Sequence, residues 1–208
     1  MDPYIREYTS KVDNKTKVLL KNKNDVFQPT ATSDFLIKAV ADNLDNEELL
    51  LDLGCGNGIV GITLANLKKA NKVFFSDISQ NAVDLANENI KLNNCRGKAI
   101  RSDIFSSWQN NKFNIIVNDI SGISENIALL SSWFKNVPCD SGPDGCKNIE
   151  RVLIESVNYL LPSGRLFFPV ISLSDTKKII NIANKIFPKL NKLSHNEWFL
   201  PEEIKTQK

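Results

Sequence analysis

Apolar residues recur along this chain at two alternating spacings. Short unbroken runs, ELLLDLG at 48–54, KVFFSD at 72–77, GKAIRSD at 97–103, KFNIIVND at 112–119 and RLFFPV at 165–170, have the length and content of strands buried on both faces. Between them, GIVGITLANLKKA at 58–70, SQNAVDLANENIKLNN at 79–94, GCKNIERVLIESVNYLL at 145–161 and SDTKKIINIANKIF at 174–187 place apolar residues at helical spacing. Ser79 can cap the second of these helices. An earlier helix opens at Thr32 or Ser33 and runs through Phe35, Leu36, Ala39, Val40 and Leu44. The turn Pro162-Ser163-Gly164 precedes the fifth strand.

Strands that alternate with helices pair in parallel through right-handed crossovers. The pattern therefore predicts an α/β, Rossmann-like, doubly wound, mainly parallel sheet of six to seven strands with helices on both faces. Residues 29–208 read as a single domain, and residues 1–28, polar and lysine-rich, as an N-terminal extension or hairpin appended to it. That hairpin is expected at 18–27, VLLKNKNDVF, turning at its Lys-Asn-Lys-Asn centre. The stretch after 187 is short for two antiparallel strands, so a seventh strand is expected to be missing or rudimentary.

Composition narrows the chemistry. At 208 residues and 42% hydrophobic, the chain can bury one sizeable core. The net charge of +2, from 26 basic and 24 acidic residues, is too balanced for the broad basic face of a non-specific nucleic-acid binder. The lysines at 11, 15, 17, 21 and 23 read as a solvated face rather than a contact for phosphate or an acidic partner. Cys55, Cys95, Cys139 and Cys146 form no C-x-x-C pair, and no apolar segment approaches the roughly 20 residues that span a bilayer. A reduced, cytoplasmic protein without membrane partner is expected, as a monomer or small homo-oligomer. His195 is the single histidine, which leaves zinc chemistry and Ser-His or Cys-His catalysis little to work with, and no metal is expected. Trp133-Phe134, Phe167-Phe168 and Trp198-Phe199 read as core or lid packing, and Cys139 and Cys146 as incidental.

In a doubly wound sheet, ligands bind beyond the carboxyl ends of the strands. The first end carries Asp52-Leu53-Gly54-Cys55-Gly56-Asn57-Gly58, glycines that permit a tight turn and let a ligand lie against backbone beside a helix N-terminus. The dinucleotide pattern G-x-G-x-x-G occurs as Gly56 to Gly61, but it starts two residues beyond the strand end. Gly61 reads instead as a close-packing helix position, and Asp52 suits a ligand with a positive amine better than a pyrophosphate. At the second end Asp77 follows Gly58 at about the spacing of a ribose-binding acid, with Ile78 as an apolar surface for one face of a purine. At the third, Asp103 beside Ile104 and Phe105 suits the exocyclic amine of adenine. The fourth strand breaks off in Asn118-Asp119.

LLLDLGCGNGIVGITLA, FFSDIS, RSDIF and IIVNDIS, in that order, resemble the successive motifs of the class I S-adenosylmethionine-dependent methyltransferases, over residues 27–187. The resemblance implies S-adenosylmethionine as cofactor. Gly54, Cys55, Gly56 and Gly58 would lie against its methionine part, with Asp52 at the amino group. Asp77 and Ile78 would meet the ribose and purine, and Asp103 and Ile104 the adenine, with Asn118 beside the methyl. SGPDGCKNIERVLIESVNYLLPSGRLFFPV at 141–170 and FQPTATSDFLIKAV at 27–40 are similar to the release-factor glutamine methyltransferases and related small-domain N-methyltransferases. That likeness makes Gln28, Pro29, Thr30 and Ser121 candidate substrate contacts and the loop from Gly122 to Asp144 a place for acceptor specificity. Those families carry Asn-Pro-Pro-Tyr where this chain has Asn118-Asp119-Ile120-Ser121; ribosomal-protein lysine methyltransferases have Asn followed by aliphatic residues there.

Methyl transfer is an in-line displacement, so the catalyst mainly aims a lone pair at the methyl carbon. The Asn118 side-chain oxygen and a neighbouring carbonyl can accept both hydrogens of a nitrogen nucleophile, and Asp119 can be a second acceptor or a base. Without the prolines and the aromatic, a planar base or amide is disfavoured and a non-planar amine is left open. The expected function is methylation of nitrogen on a protein side chain or small amine, ahead of nucleic acid. The rivals are a catalytically silent fold-mate that binds or scaffolds, and a nicotinamide-dependent oxidoreductase.

Overall fold

The structure, a computed structural model, describes residues 5–120, 122–130 and 141–198. Ser121, Trp133, Phe134, Cys139 and Phe199 lie outside the described residues. The chain forms two compact units: Met1–Asp119 with Glu155–Pro169, and Ile120–Ile154 with Val170–Lys208.

The first unit holds β1 (Ile5–Thr9), β2 (Lys17–Lys21), α1 (Ala31–Ala41), β3 (Glu47–Leu53), α2 (Ile59–Asn66), β4 (Ala70–Asp77), α3 (Gln80–Leu92), β5 (Gly97–Arg101), β6 (Phe113–Asn118) and β7 (Leu160–Phe167). Five of these strands form a parallel sheet in the order β5-β4-β3-β6-β7. This is the expected Rossmann-like class. The described residues give it five strands against the expected six to seven, and none of 187–198 is a strand. The chain runs outward from β3 through β4 to β5, then crosses back to β6 and on to β7. The order thus reverses between β3 and β6, the point where such sheets open a crevice.

The strands read as continuous apolar runs because both faces are covered. Leu50, Val73, Phe75, Ala99, Ile115 and Val117 share one buried cluster with Ile37 and Val40 of α1, Ile62 and Leu64 of α2 and Val83 of α3. Each fully buried side chain of this size contributes roughly 1.5–3 kcal/mol.

Several elements differ from expectation. The hairpin is β1–β2, paired Ile5 with Lys21 through Thr9 with Lys17. Its turn is not Lys-Asn-Lys-Asn but Ser10–Thr16, where Asp13 Oδ1 accepts from the N–H groups of Lys15 and Thr16 and Asn14 sits at φ 54°. An aspartate that folds back on its own backbone and an asparagine that tolerates the left-handed region make the stronger turn. Thr16 hydroxyl and amide bonds draw the Asp13 carboxyl down to about 2. Nor is the hairpin an appendage, since Val18 and Leu20 belong to the main cluster. Lys11, Lys17, Lys21 and Lys23 pair with Asp34, Glu7 and Glu88, so four of the five lysines serve local ion pairs.

Helix α1 begins at Ala31 after Thr30, so Thr32 and Ser33, the expected caps, lie within its first turn. Helix α2 stops at Asn66 because Lys68 turns to φ 58° and Ala70 already starts β4. The Pro162-Ser163-Gly164 turn lies within β7, where the register with β6 jumps from Leu160 opposite Phe113 to Arg165 opposite Ile115. Gly164 is needed there: an added Cβ would stand 2.9 Å from the Phe113 carbonyl. Ser79 caps α3 as expected, accepting from Ala82 N–H at 3.4 Å.

The second unit holds α4 (Glu125–Leu130), the greater part of α5 (Lys147–Ser156) and α6 (Thr176–Ile186). Ile123 packs there with Ile127, Ala128, Ile171 and Leu173. The Gly-Pro-Asp-Gly turn starts α5, with Gly142 and Gly145 at φ 80° and 71° and Asp144 Oδ1 accepting from Cys146 N–H. Lys178 bonds Asp144 at 2.8 Å and holds that carboxyl below its usual range. Phe167 is core, whereas Trp198 is 43% exposed. No helix among the described residues is long and apolar enough to cross a membrane, and none of their His, Cys, Asp and Glu groups could hold a metal.

Candidate functional site

The site grows from the end of β3. Asp52 is fully buried, and its Oδ2 accepts from Gly61 N–H at 2.8 Å, one turn into α2. Gly61 is the close-packing position anticipated: an added Cβ would lie 2.4 Å from the Phe75 ring and 2.9 Å from Asp52 Oδ2. The other oxygen, Oδ1, is buried without a hydrogen-bond partner. Burial, reinforced by the charges of Asp119 and Asp77 and opposed by the Gly61 N–H, pushes the Asp52 carboxyl up to about 8.

The backbone then turns through Gly54, Gly56 and Gly58 at φ 77°, 53° and 87°. A side chain is strained in this left-handed region, which is why the three positions are glycine. Gly54 and Cys55 both donate to the Ser76 carbonyl, and Gly58 to the Cys55 carbonyl, which ties the turn to β4. Cys55 is buried, and burial holds its thiol well above the ordinary range. Asp77, ending β4, accepts from Gly56 N–H at 3.0 Å and from Ser79 N–H at 2.9 Å. Burial raises its carboxyl. Ile78 beside it is 50% exposed, an apolar surface next to the acid.

At the end of β5, Ser102 N–H donates to the Asp77 carbonyl, which brings the third strand end against the second. Asp103 is exposed, while Ile104 is buried at φ 49°, a costly conformation for a β-branched residue. The Ser102 hydroxyl bonds the Ile104 carbonyl at 2.7 Å and holds it there.

Across the reversal point, Asn118 pairs with Leu53 in the ladder and Asp119 N–H donates to the Leu53 carbonyl. Asn118 is 1% exposed and its Oδ1 is buried without a partner. Asp119 Oδ2 accepts from the Ser33 hydroxyl at 3.3 Å, and burial raises this carboxyl to about 7. The structure thus brings Asp52, Cys55, Gly56, Asp77, Asn118 and Asp119 to one end of β3, β4 and β6. Among the described residues no cationic side chain pairs with Asp52, Asp77 or Asp119.

The segment before α1 also reaches this end. An added Cβ on Gly56 would stand 3.8 Å from the Phe27 carbonyl. Gln28, however, turns its side-chain nitrogen back to the carbonyls of Lys23 and Val26, closing its own turn. Thr30 precedes α1 without a side-chain cap bond, and Pro29 and Thr30 are partly buried. Ser33, read from sequence as a cap, is 4% exposed and serves Asp119 instead. Only its position one turn before the apolar face of α1 could have signalled this.

The geometry suits a cationic ligand that brings hydrogen-bond donors. The acceptors Asp52 Oδ1 and Asn118 Oδ1 await donors, three acids lack a cation, and the glycines of the turn allow close approach. A pyrophosphate would meet the acids unfavourably.

Comparisons with known proteins agree. The family model of the methyltransferase small domain matches residues 17–119. A putative protein N5-glutamine methyltransferase of Methanocaldococcus jannaschii is 32% identical over 164 residues, 79% of this chain and 81% of that protein. The release factor glutamine methyltransferase of Streptococcus pneumoniae is 29% identical over 157 residues, 73% of this chain and 56% of the relative. Among solved structures, the T. thermophilus 16S rRNA N2 G1207 methyltransferase in complex with AdoMet and guanosine has a TM-score of 0.69 at 16% identity, over 93% of this chain and 48% of that one, a likeness of fold. Since the match to the M. jannaschii protein runs through most of both chains, this chain belongs to the class I S-adenosylmethionine-dependent methyltransferases, in the group built on the methyltransferase small domain, and S-adenosylmethionine is its cofactor.

Proposed function

We propose that the chain methylates a nitrogen of a protein side chain, with the glutamine amide as acceptor. One observation carries the reading: Asn118 Oδ1, at the reversal point of the sheet, is buried and without a donor. An amide nitrogen has a weak lone pair, and a fixed acceptor that takes one of its hydrogens both aims that lone pair and stabilises the charge that develops on nitrogen. In this reading Asp119 takes the second hydrogen. The names of the M. jannaschii and S. pneumoniae relatives support glutamine.

The missing prolines weigh less than the sequence suggested. The strand end is pinned by the Asn118–Leu53 pairing and the bond from Asp119 N–H to the Leu53 carbonyl, so the ladder supplies rigidity that proline supplies elsewhere. In this reading Asp52 Oδ1 takes the cofactor's amino group, Gly54, Gly56 and Gly58 take its methionine part, and Asp77 takes the ribose hydroxyls. Asp103 and the surfaces of Ile78 and Ile104 serve the adenine. The bound cofactor supplies the electrophilic methyl.

The test is transfer of a tritiated methyl to an extract of the source cells, followed by acid hydrolysis. A glutamine amide releases the label as volatile methylamine; an amine acceptor keeps it on the amino acid, and label in nucleic acid refutes a protein acceptor. Asn118→Ala is expected to lower the initial rate of labelling about 10²–10³-fold without weakening cofactor binding. A second reading, an amine acceptor, draws on the raised Asp119 carboxyl, which at neutral pH can take a proton from an arriving ammonium. Stable label together with a rate that depends on Asp119 favours it.

A further inference from the structure

Asparagine side chains do for β2 what a neighbouring strand would do. β2 pairs with β1 along one edge. On its other edge Leu19 donates to Asn93 Oδ1 at 2.9 Å and accepts from Asn93 Nδ2 at 2.7 Å. Lys21 makes the same exchange with Asn89, at 2.8 and 3.1 Å. A side-chain amide offers the donor and acceptor of a peptide. Four residues along a helix advance about 6 Å, close to the ~6.7 Å between alternate residues of a strand, so Asn89 and Asn93 of α3 match Lys21 and Leu19 of β2.

The two asparagines differ in one bond. Asn93 gives its further hydrogen to the Asn89 carbonyl within its own helix. Asn89, fully buried, gives its further hydrogen at 2.9 Å to the carbonyl of Asn57, the residue between Gly56 and Gly58. Asn57 is itself 2% exposed; it donates through Nδ2 to Asn22 Oδ1 at 2.9 Å, just past β2, and its Oδ1 accepts from Ile59 N–H. The glycine turn is therefore held through Asn57 by the hairpin and by α3 at once. Glycine is the residue with the most conformational freedom to lose, so a turn with Gly56 and Gly58 on either side of Asn57 needs such a hold from outside.

We propose that Asn89 is a positioning residue for the cofactor: by fixing the Asn57 peptide against the β1–β2 hairpin, it sets the conformation of the glycine turn on which S-adenosylmethionine binds. The inference rests on the reading of that turn as the cofactor cradle. Asn89 acts through Asn57 and touches no reacting atom.

Asn93 provides the control, since it makes the same exchange with the hairpin and does not touch the turn. The experiment measures the calorimetric Kd for S-adenosylmethionine and the melting temperature of the full chain and of Asn89→Ala, Asn93→Ala, Asn22→Ala and Asp77→Ala. Asn89→Ala is expected to weaken binding roughly tenfold, as a small displacement of a preorganised group does. Asn93→Ala, at a comparable loss of melting temperature, is expected to leave Kd within about twofold. Asn22→Ala, at a partly buried position, removes only the Asn57 side-chain acceptor and keeps the test available if Asn89→Ala fails to fold; it is expected to weaken binding by a smaller factor. Wild-type affinity in Asn89→Ala, or in Asn22→Ala where Asn89→Ala does not fold, or equal weakening in Asn93→Ala, overturns the inference. If Asp77→Ala also binds as wild type, the reading of the cofactor cradle has failed; if Asp77→Ala alone loses binding, only the role of Asn89 has.

Discussion

The ends of β3 and β6 and the outer edge of β2 are both places where buried polar side chains meet backbone, and they do it in opposite ways. Along β2, Asn89 and Asn93 exchange paired bonds with Lys21 and Leu19, and no buried side-chain atom of Asn57, Asn89 or Asn93 lacks a partner. At the strand ends, Asp52 Oδ1 and Asn118 Oδ1 are buried with no donor. A buried acceptor left unpaired costs about 1–3 kcal/mol. The asparagines along β2 remove that cost internally, whereas at the strand ends it is left for a ligand to remove; Thr63 Oγ1, Ser76 Oγ and the Trp108 indole nitrogen are buried without a partner as well. An unpaired buried acceptor points to a ligand where, as at Asp52 and Asn118, it also stands at the reversal point of the sheet.

The comparison breaks most directly at Asn118. Removing one preorganised acceptor raises the barrier by roughly 3–4 kcal/mol, so Asn118→Ala is expected to lower kcat about 10²–10³-fold while the melting temperature holds steady or rises. A fall in stability matching the fall in rate would place Asn118 with the scaffold. The reverse pattern is expected for Leu20→Ala in the hairpin, which empties a buried position at a cost of about 3 kcal/mol read by denaturant titration. Its kcat, measured on folded protein well below the melting temperature, is expected to be unchanged.

A smaller effect sharpens the electrostatic side. Burial raises Asp119 to about 7 and Asp52 to about 8, so between the ordinary carboxylate range and those values the folded chain holds protons that the unfolded chain gives up. Stability from these two groups is thus complete at low pH and lost as pH rises through 7 and 8. The melting temperature of the cofactor-free protein is expected to fall between pH 5 and 8, and Asp119→Asn or Asp52→Asn to flatten that fall. A slope the variants do not change would show that neither group carries it. The smallest effect is expected at Lys17, whose ion pair with Glu7 is solvent-exposed on both sides; Lys17→Ala costs about 0.5 kcal/mol or less, within reach of denaturant titration.

Much of the site was legible because its parts are local in sequence. Gly54, Gly56 and Gly58 follow an apolar run directly, and their positive φ angles leave few other residues possible. Asp77 and Asn118 terminate strands whose apolar runs mark where they end. The hairpin's partner is not legible in the sequence because Val18-Leu19-Leu20 looks the same whether it pairs forward or backward, and the deciding turn at Asp13-Asn14 lies within a uniformly polar stretch. Ser33 reads as a cap in the sequence because its use depends on Asp119, far along the chain.

By itself the sequence determined the order of the parallel strands and the helices between them, the glycine turn and which acids stand at strand ends, because hydrophobic period and backbone freedom act over a few residues. Tertiary structure alone decided which of those groups go unpaired. Asn57, Asn89, Asn93 and Asn118 are the same side chain, equally able to donate and accept; the sequence sets Asn118 at a strand end but does not say which of the four is left unpaired. The register of β6 against β3 buries Asn118 Oδ1 away from donors, while the approach of β2 to α3 satisfies the other three.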